Sequence, residues 1–281
     1  MKIGKGDTAI VTGASRGLGV FVARALAERG VKLVVAARSG RALEEVAAQL
    51  RAAGGDVVTV PADMGDPESI AELAAKAEEH FGGVDILVNN AGIESTLRYD
   101  LRDAEEIRQM ITINLTGPME LTRIVLPGMI ERGRGHIVNI ASVAGLMPSA
   151  YEEPYTATKY GLVGFTKSLR LTAQDCNWNV GASAICPGFM AGTGIYEDMK
   201  NRFGVTAPAS MGTMSAERIG PAVIRAIEKD LPDVMLMRGR PRIVAGLATM
   251  APRLFERLVK TVDSGSAFRR IAQERAKLHD A

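Results

Sequence analysis

Two cysteines, Cys176 and Cys186, in 281 residues are too few for a disulfide framework, and a reducing compartment fits such a chain best. The three histidines, His80, His136 and His279, are scattered without metal-ligand spacing, so no metal is expected. An excess of one charge is also lacking. The net charge of +2 gives no electrostatic case for nucleic acid as a partner. No run of about eighteen uncharged apolar residues occurs, and Met1 to Thr8 holds lysines without an apolar stretch. Neither a membrane span nor a signal peptide is expected, and the default location is cytoplasmic.

What the chain has in quantity is small and aliphatic. With 47% apolar residues, 23% charged residues and 30 glycines it can bury a large core as one α/β domain. Apolar β-rich runs at 7–12, 31–37, 56–60, 84–89, 135–141, 179–185 and 233–237 alternate with helical patterns at 17–29, 40–53, 67–80, 102–131, 154–176 and 216–229. That alternation predicts a parallel sheet with helices on both faces.

Tyr155 and Lys159 stand four residues apart, and Ser142 lies thirteen residues before the tyrosine. At i and i+4 of a helix the phenol and the ammonium leave from one face. The fixed cation can then stabilise phenolate and lower a pKa that otherwise sits near ~10. A hydroxyl from a strand end, Ser142, can hold a substrate oxygen while Tyr155 gives or takes its proton. Neither Tyr151 nor Tyr160 has a lysine four residues on.

A hydride source is suggested near the other end. The apolar run Ala9, Ile10, Val11 leads into Thr12-Gly13-Ala14-Ser15-Arg16-Gly17-Leu18-Gly19 and then Val20, Val22, Ala23 and Leu26, a strand, glycine turn and helix. Residues without a Cβ let backbone approach a pyrophosphate at the positive end of a helix. The spacing Gly-x3-Gly-x-Gly differs from the Gly-x-Gly-x-x-Gly fingerprint, so alone the turn reads equally as a structural glycine loop.

In chain order, Thr12-Gly13-x3-Gly17-x-Gly19, Asn89-Asn90-Ala91-Gly92, Asn114, Ser142, Tyr155-x3-Lys159 and Pro187-Gly188 closely resemble the short-chain dehydrogenase/reductase family, over about residues 5 to 237. The resemblance implies a Rossmann-type, doubly wound parallel sheet in a single domain at 1–237, with strand order 3-2-1-4-5-6-7 and the site at the carboxyl ends of the strands. It implies that Gly13, Ser15, Arg16, Gly17, Leu18 and Gly19 form the cofactor turn. Asp63, with Met64 beside it, matches the aspartate that meets the adenine amino group; an N-cap or turn acid is the competing reading. Asn90, Ala91 and Gly92 match the segment under the adenosine, where an Asx turn is equally physical.

Asn114 matches the asparagine that bends its helix and holds a water linking the lysine to solvent; a packing asparagine is the alternative. With Ser142, Tyr155 and Lys159 it completes the catalytic set, and Tyr155 and Lys159 also reach the nicotinamide ribose. Pro187, Gly188 and Thr193 match the loop over the nicotinamide, although Thr193 falls one position later than the family pattern.

Ala37 stands at the end of the second strand, where an enzyme using NAD usually carries an acid. Arg38 follows at once, and Arg16 lies in the glycine turn, so two guanidinium groups can meet a 2′-phosphate. NADP(H) is the expected cofactor; two solvated surface arginines are the other reading. Ile195, Tyr196, Met199, Phe203, Met211 and Met214 suggest an apolar lid, with Ile93, Leu97, Leu146, Met147 and Tyr151 as walls, which suits a lipophilic carbonyl or alcohol substrate.

The resulting expectation is an NADP(H)-dependent oxidoreductase that interconverts a ketone or aldehyde and an alcohol. A noncatalytic NADPH-binding sensor or scaffold of the same fold is the alternative. Nucleotide-sugar epimerase or dehydratase chemistry would need a larger C-terminal domain. By resemblance the helices at 102–131 and 154–176 pair in a homodimer or homotetramer.

Residues 238–281 form a tail with ten Lys or Arg against four acids, a net +6. Apolar residues from Ile243 to Val262 recur at helical spacing, and Pro252 marks a kink or a new helix start. A helix packed on the domain or on a partner subunit is favoured over peripheral attachment to a membrane.

Overall fold

The computed structural model describes residues 1–209, 211–263 and 265–279, with backbone alone at 278 and 279; Ser210, Ser264 and the tail end Asp280 and Ala281 lie outside it. Helices and strands alternate through most of the chain: β1 (Thr8–Thr12), α1 (Leu18–Ala27), β2 (Lys32–Ala37), α2 (Gly40–Ala52), β3 (Val57–Pro61), α3 (Pro67–Phe81) and β4 (Ile86–Asn89) come first. Then α4 (Ala104–Ile111) runs through one π-helical segment (Thr112–Thr116) into α5 (Gly117–Glu131), followed by β5 (Gly135–Ile140), α6 (Glu153–Asp175) and β6 (Val180–Pro187). The two-residue strands β7 (Met190–Ala191) and β8 (Met214–Ser215) flank α7 (Gly194–Phe203), and α8 (Ile219–Glu228) and β9 (Asp233–Leu236) complete the sheet region. The tail folds as α9 (Pro241–Met250), α10 (Pro252–Thr261) and α11 (Ser266–His279).

Seven strands form one parallel sheet in the order β3-β2-β1-β4-β5-β6-β9, the order expected with β9 as the seventh sheet strand. Strands this apolar are covered on both faces, and period-2 alternation decides which face each residue serves. Ala9, Val11, Leu33 and Val35 pack with Val22, Leu26, Leu43 and Val223 from α1, α2 and α8. Ile10, Val34 and Leu87 pack with Ile70, Leu73, Leu121 and Met129 from α3 and α5 on the other side. Because β4 sits on the opposite side of β1 from β2, the chain reverses direction across the sheet there, and a crevice opens beyond the carboxyl ends of these strands.

The helix expected at 102–131 is interrupted by the π segment that contains Asn114. Asparagine is a poor residue for a helix interior because its amide competes for backbone groups, and here it does so. Asn114 Nδ2 donates to Ile93 O at 2.8 Å, and its Oδ1 accepts from Ile93 N–H at 2.8 Å. The single amphipathic stretch expected in the tail is three helices. Pro252 starts α10 at its first position, where its missing N–H costs nothing. Phe255 and Ala245 pack with Val143 and Met147 beneath them, so the tail rests on the sheet domain.

Candidate active site

One cavity of about 570 Å³ occupies the crevice. At one end β1 runs into the glycine turn. Gly17 caps α1 at φ 68° and ψ −146°, a conformation open to glycine alone. A Cβ on Gly19 would stand 2.4 Å from Gly13 O, so the turn is folded too tightly for a side chain there. This leaves the N-terminal end of α1 open toward the cavity, a cradle that suits a phosphate group.

Gly13, Ser15, Arg16, Gly17, Leu18, Arg38, Asp63, Met64, Asn90, Ala91, Gly92, Ser142, Tyr155, Lys159, Pro187, Gly188 and Thr193 all line this cavity. Gly19 and Asn114 stand behind it. Thr12, the first residue of the glycine motif, binds the site together: its hydroxyl accepts from the N–H groups of Asn90 and Ala91, each at 3.0 Å. Asn90 returns its amide to Thr12 O at 2.9 Å and Gly13 O at 3.1 Å. The neighbouring Asn89 is buried and reaches Asn139 Oδ1 at 2.8 Å, bracing β4 against β5.

Asp63 is a turn acid, its Oδ1 accepting from Gly65 N–H at 2.8 Å, and it faces the cavity as well. The N-cap of α3 is Asp66. Arg38 is exposed beside the cavity mouth, whereas Arg16 forms an exposed ion pair with Asp198 of α7. Thr193 precedes α7 as its N-cap residue.

At the other end Ser142 follows β5, and Tyr155 and Lys159 lie on the first two turns of α6. Ser142 accepts from Ala144 N–H at 3.1 Å and donates to Pro187 O at 3.4 Å, with the Tyr155 phenol beside it. Lys159 is buried, donates to Ile140 O at 3.1 Å and stands 5.5 Å from the Tyr155 ring centre.

Burial raises the Tyr155 pKa, the nearby Glu152 raises it further, and the neighbouring Ser142 hydroxyl opposes both. The net shift is upward, opposite to the lowering by Lys159 that the spacing suggests. Burial also brings Lys159 down to about 8, so it stays largely charged at neutral pH.

Glu94, Ser149 and Glu152, polar residues without a motif, also line the cavity. Burial pushes both glutamates above the usual carboxylate range. Several expected walls face elsewhere. Leu146 and Met147 pack under α9 and α10, Phe203 and Tyr151 pack toward α11, and neither Leu97 nor Met214 lines the cavity. Tyr151 adopts φ 67° and offers its carbonyl to Leu97 N–H and to Arg102.

The family model for short chain dehydrogenase matches residues 7–202. The chain belongs to the short-chain dehydrogenase family. This dehydrogenase is 37% identical over 231 residues to the ketoacyl reductase HetN of Nostoc sp., a match covering 82% of this chain and 78% of that protein. Among solved structures it is similar to a variant of actinorhodin polyketide ketoreductase with NADPH, at TM-score 0.75 and 30% identity, covering 82% of this chain and 94% of that one. It is also similar to a short-chain dehydrogenase/reductase from Burkholderia phymatum in complex with NAD, at TM-score 0.81 and 28% identity, covering 90% and 96%. The dehydrogenase is thus an oxidoreductase acting on carbonyl or alcohol groups, with a nicotinamide nucleotide as the family's cofactor. Among its described residues no helix is long and apolar enough to cross a membrane.

Proposed function

We propose that this dehydrogenase uses NADP(H) to interconvert a lipophilic ketone or aldehyde and its alcohol, with Tyr155 as general acid and base. The observation that carries the reading is one cavity with the glycine turn at one end and Ser142, Tyr155 and Lys159 together at the other. The turn and the open end of α1 fit a dinucleotide, and the nucleotide supplies or accepts the hydride when bound. Arg38, and Arg16 once released from Asp198, would hold a 2′-phosphate, and no acid stands at Ala37 to repel it.

In the reducing direction Ser142 donates a hydrogen bond to the carbonyl oxygen and Tyr155 transfers its proton to that oxygen as negative charge develops. A raised pKa keeps Tyr155 protonated at neutral pH, the state this step needs. The charged Lys159 beside the ring favours the phenolate left behind and can reach the ribose. Both amide ends of Asn114 are engaged with Ile93, and Nδ2 also reaches Thr158 Oγ1 at 3.3 Å. These bonds support a bracing role more directly than the proton relay, which stays part of the proposal without a bond of its own.

Exposed Ile111, Met119, Tyr160 and Leu171 on α4, α5 and α6 support pairing of those helices in a homodimer or homotetramer. A panel of ketones, aldehydes and alcohols followed by nucleotide absorbance, with NADPH and NADH in parallel, tests the function. Turnover with NADPH preferred is the expected result, and no turnover with any member overturns it.

A further inference from the structure

The tail ends over the active site. Phe268 of α11 lines the cavity and lies against Phe189, with ring centres 5.8 Å apart at 29°. Phe189 in turn meets Tyr196 of α7 at 5.2 Å. Phe189 follows Pro187-Gly188, so this aromatic group stands at the end of the cavity that holds Ser142 and Tyr155. Ala267, Phe268 and Ile271 are buried against Met199 and Val205, which makes α11 the outer layer over α7.

Two cations tie the helix down. Arg275 donates to Ser95 Oγ and to Thr96 O at 3.4 Å. Arg269, in the preceding turns, stands beside the Tyr151 side chain, which packs on the same cluster as Phe268. The segments they grip are those that carry the two cavity glutamates. Thr96 Oγ1 donates to Glu94 Oε1 at 2.5 Å, and Glu152 follows Tyr151. Buried Arg102 joins the same segments from behind, donating to Ser95 O and Tyr151 O, each at 2.8 Å.

We propose that α11 is the outer wall of the substrate end of the active site, with Phe268 a residue that contacts substrate and selects its size and Arg275 a positioning residue. This rests on the oxidoreductase reading above and names its substrate class: an uncharged carbonyl compound with an extended apolar or aromatic substituent. The substituent lies between Phe189, Tyr196, Met199 and Phe268. An anionic ketoacid is disfavoured, because among the described residues no guanidinium lines that end of the cavity to pair with its carboxylate: Arg102 and Arg275 donate to loop groups outside the cavity lining.

The test uses the full chain and a series of 2-alkanones from acetone to 2-octanone, with acetoacetate beside them. In the wild type, kcat/KM rises by about fourfold for each methylene until the wall is covered, the value of one methylene removed from water. Acetoacetate falls below 2-pentanone. In Phe268→Ala the KM for 2-octanone rises by ~10-fold or more, several times more than the KM for acetone. Arg275→Met shows the same selective rise in KM. Arg275→Lys restores most of it, because one point donor suffices for the two acceptors that Nη1 serves.

A Phe268→Ala profile parallel to the wild type, or equal losses for acetone and 2-octanone, overturns the proposal. If the wild type reduces no ketone with either nucleotide, the oxidoreductase reading fails on its own. The wall is then judged by hydrogen exchange: amides 267–272 slowed by at least ~10²-fold in the wild type and released in Phe268→Ala sustain it, and unslowed exchange in the wild type overturns it.

Discussion

Asn114→Leu removes one amide that serves two backbone groups and keeps the number of side-chain heavy atoms, at the cost of a somewhat larger side chain. Asn114 is fully buried, and its Oδ1 and Nδ2 pair with the N–H and C=O of Ile93, each at 2.8 Å. Leucine fills the space and offers nothing in exchange, so both Ile93 groups lose their partner. An unsatisfied buried polar group costs about 1 to 3 kcal/mol, and since these are partly buried the lower half applies, giving about 2 to 4 kcal/mol for the pair.

For a chain of this size that lowers the melting temperature by about 5 to 15 °C. The third bond, from Nδ2 to Thr158 Oγ1 at 3.3 Å, is longer and adds less. Thr158→Val serves as the control, with an expected loss of about 1 kcal/mol. Ile93 also separates Gly92 from Glu94, so turnover should fall beyond what lost stability explains. Thermal unfolding followed by circular dichroism checks the magnitude. A variant melting within about 2 °C of the wild type would show that these bonds are readily replaced by water and that the π segment is not held by Asn114.

Three further perturbations have signs that follow from the same structure. Asp198→Asn frees Arg16 from an exposed ion pair worth up to about 1 kcal/mol, so the KM for NADPH should fall up to about fivefold with that for NADH unchanged; a rise would place Arg16 outside the phosphate site. Gly145→Ala sets a Cβ 2.5 Å from Lys159 O and presses on α6, which should cost about 1 to 3 kcal/mol in urea unfolding and lower kcat as Lys159 shifts; full activity would refute the close approach. Burial holds the pKa of His136 down at about 3, against about 6.5 when unfolded, so its contribution is full above about 6.5 and is lost as pH falls toward 3. Between pH 7 and 5 that amounts to about 2 kcal/mol. Glu94 and Glu152, with raised values, act in the opposite sense, stabilising at low pH and losing that contribution as pH rises. They are common to both proteins, so His136→Gln should lose about 2 kcal/mol less than the wild type between these pH values in urea titrations, and equal losses would refute the assignment.

Much of the sheet was readable because fully buried strands are written as continuous aliphatic runs bounded by glycine or polar residues, as in Leu33-Val34-Val35-Ala36-Ala37. The residues at strand ends and on α6 were readable for another reason: tight turns, phosphate cradles and an i, i+4 pair each require particular residue types at fixed offsets. Asn114 announced the break in its helix by being the wrong residue for a helix interior.

What stayed hidden depends on contacts across long stretches of chain. Nothing local to Phe268 or Arg275 says that they meet Phe189 and Ser95, because that meeting is made by the way α11 folds back over α7. Glu94 and Glu152 read as ordinary polar residues, and their shifted pKa values arise only once both are enclosed by the same cavity. Leu146 and Met147 have the composition of a substrate wall yet pack under the tail, since composition does not distinguish a pocket from a core.

The central claim is that Tyr155 moves the proton at the substrate oxygen. Tyr155→Phe keeps the ring and removes the hydroxyl, so NADPH affinity, measured by fluorescence titration, should stay within about twofold while single-turnover carbonyl reduction falls by at least ~10²-fold. Reduction at a near-normal rate in that variant, with the nucleotide bound as tightly as before, would contradict the account.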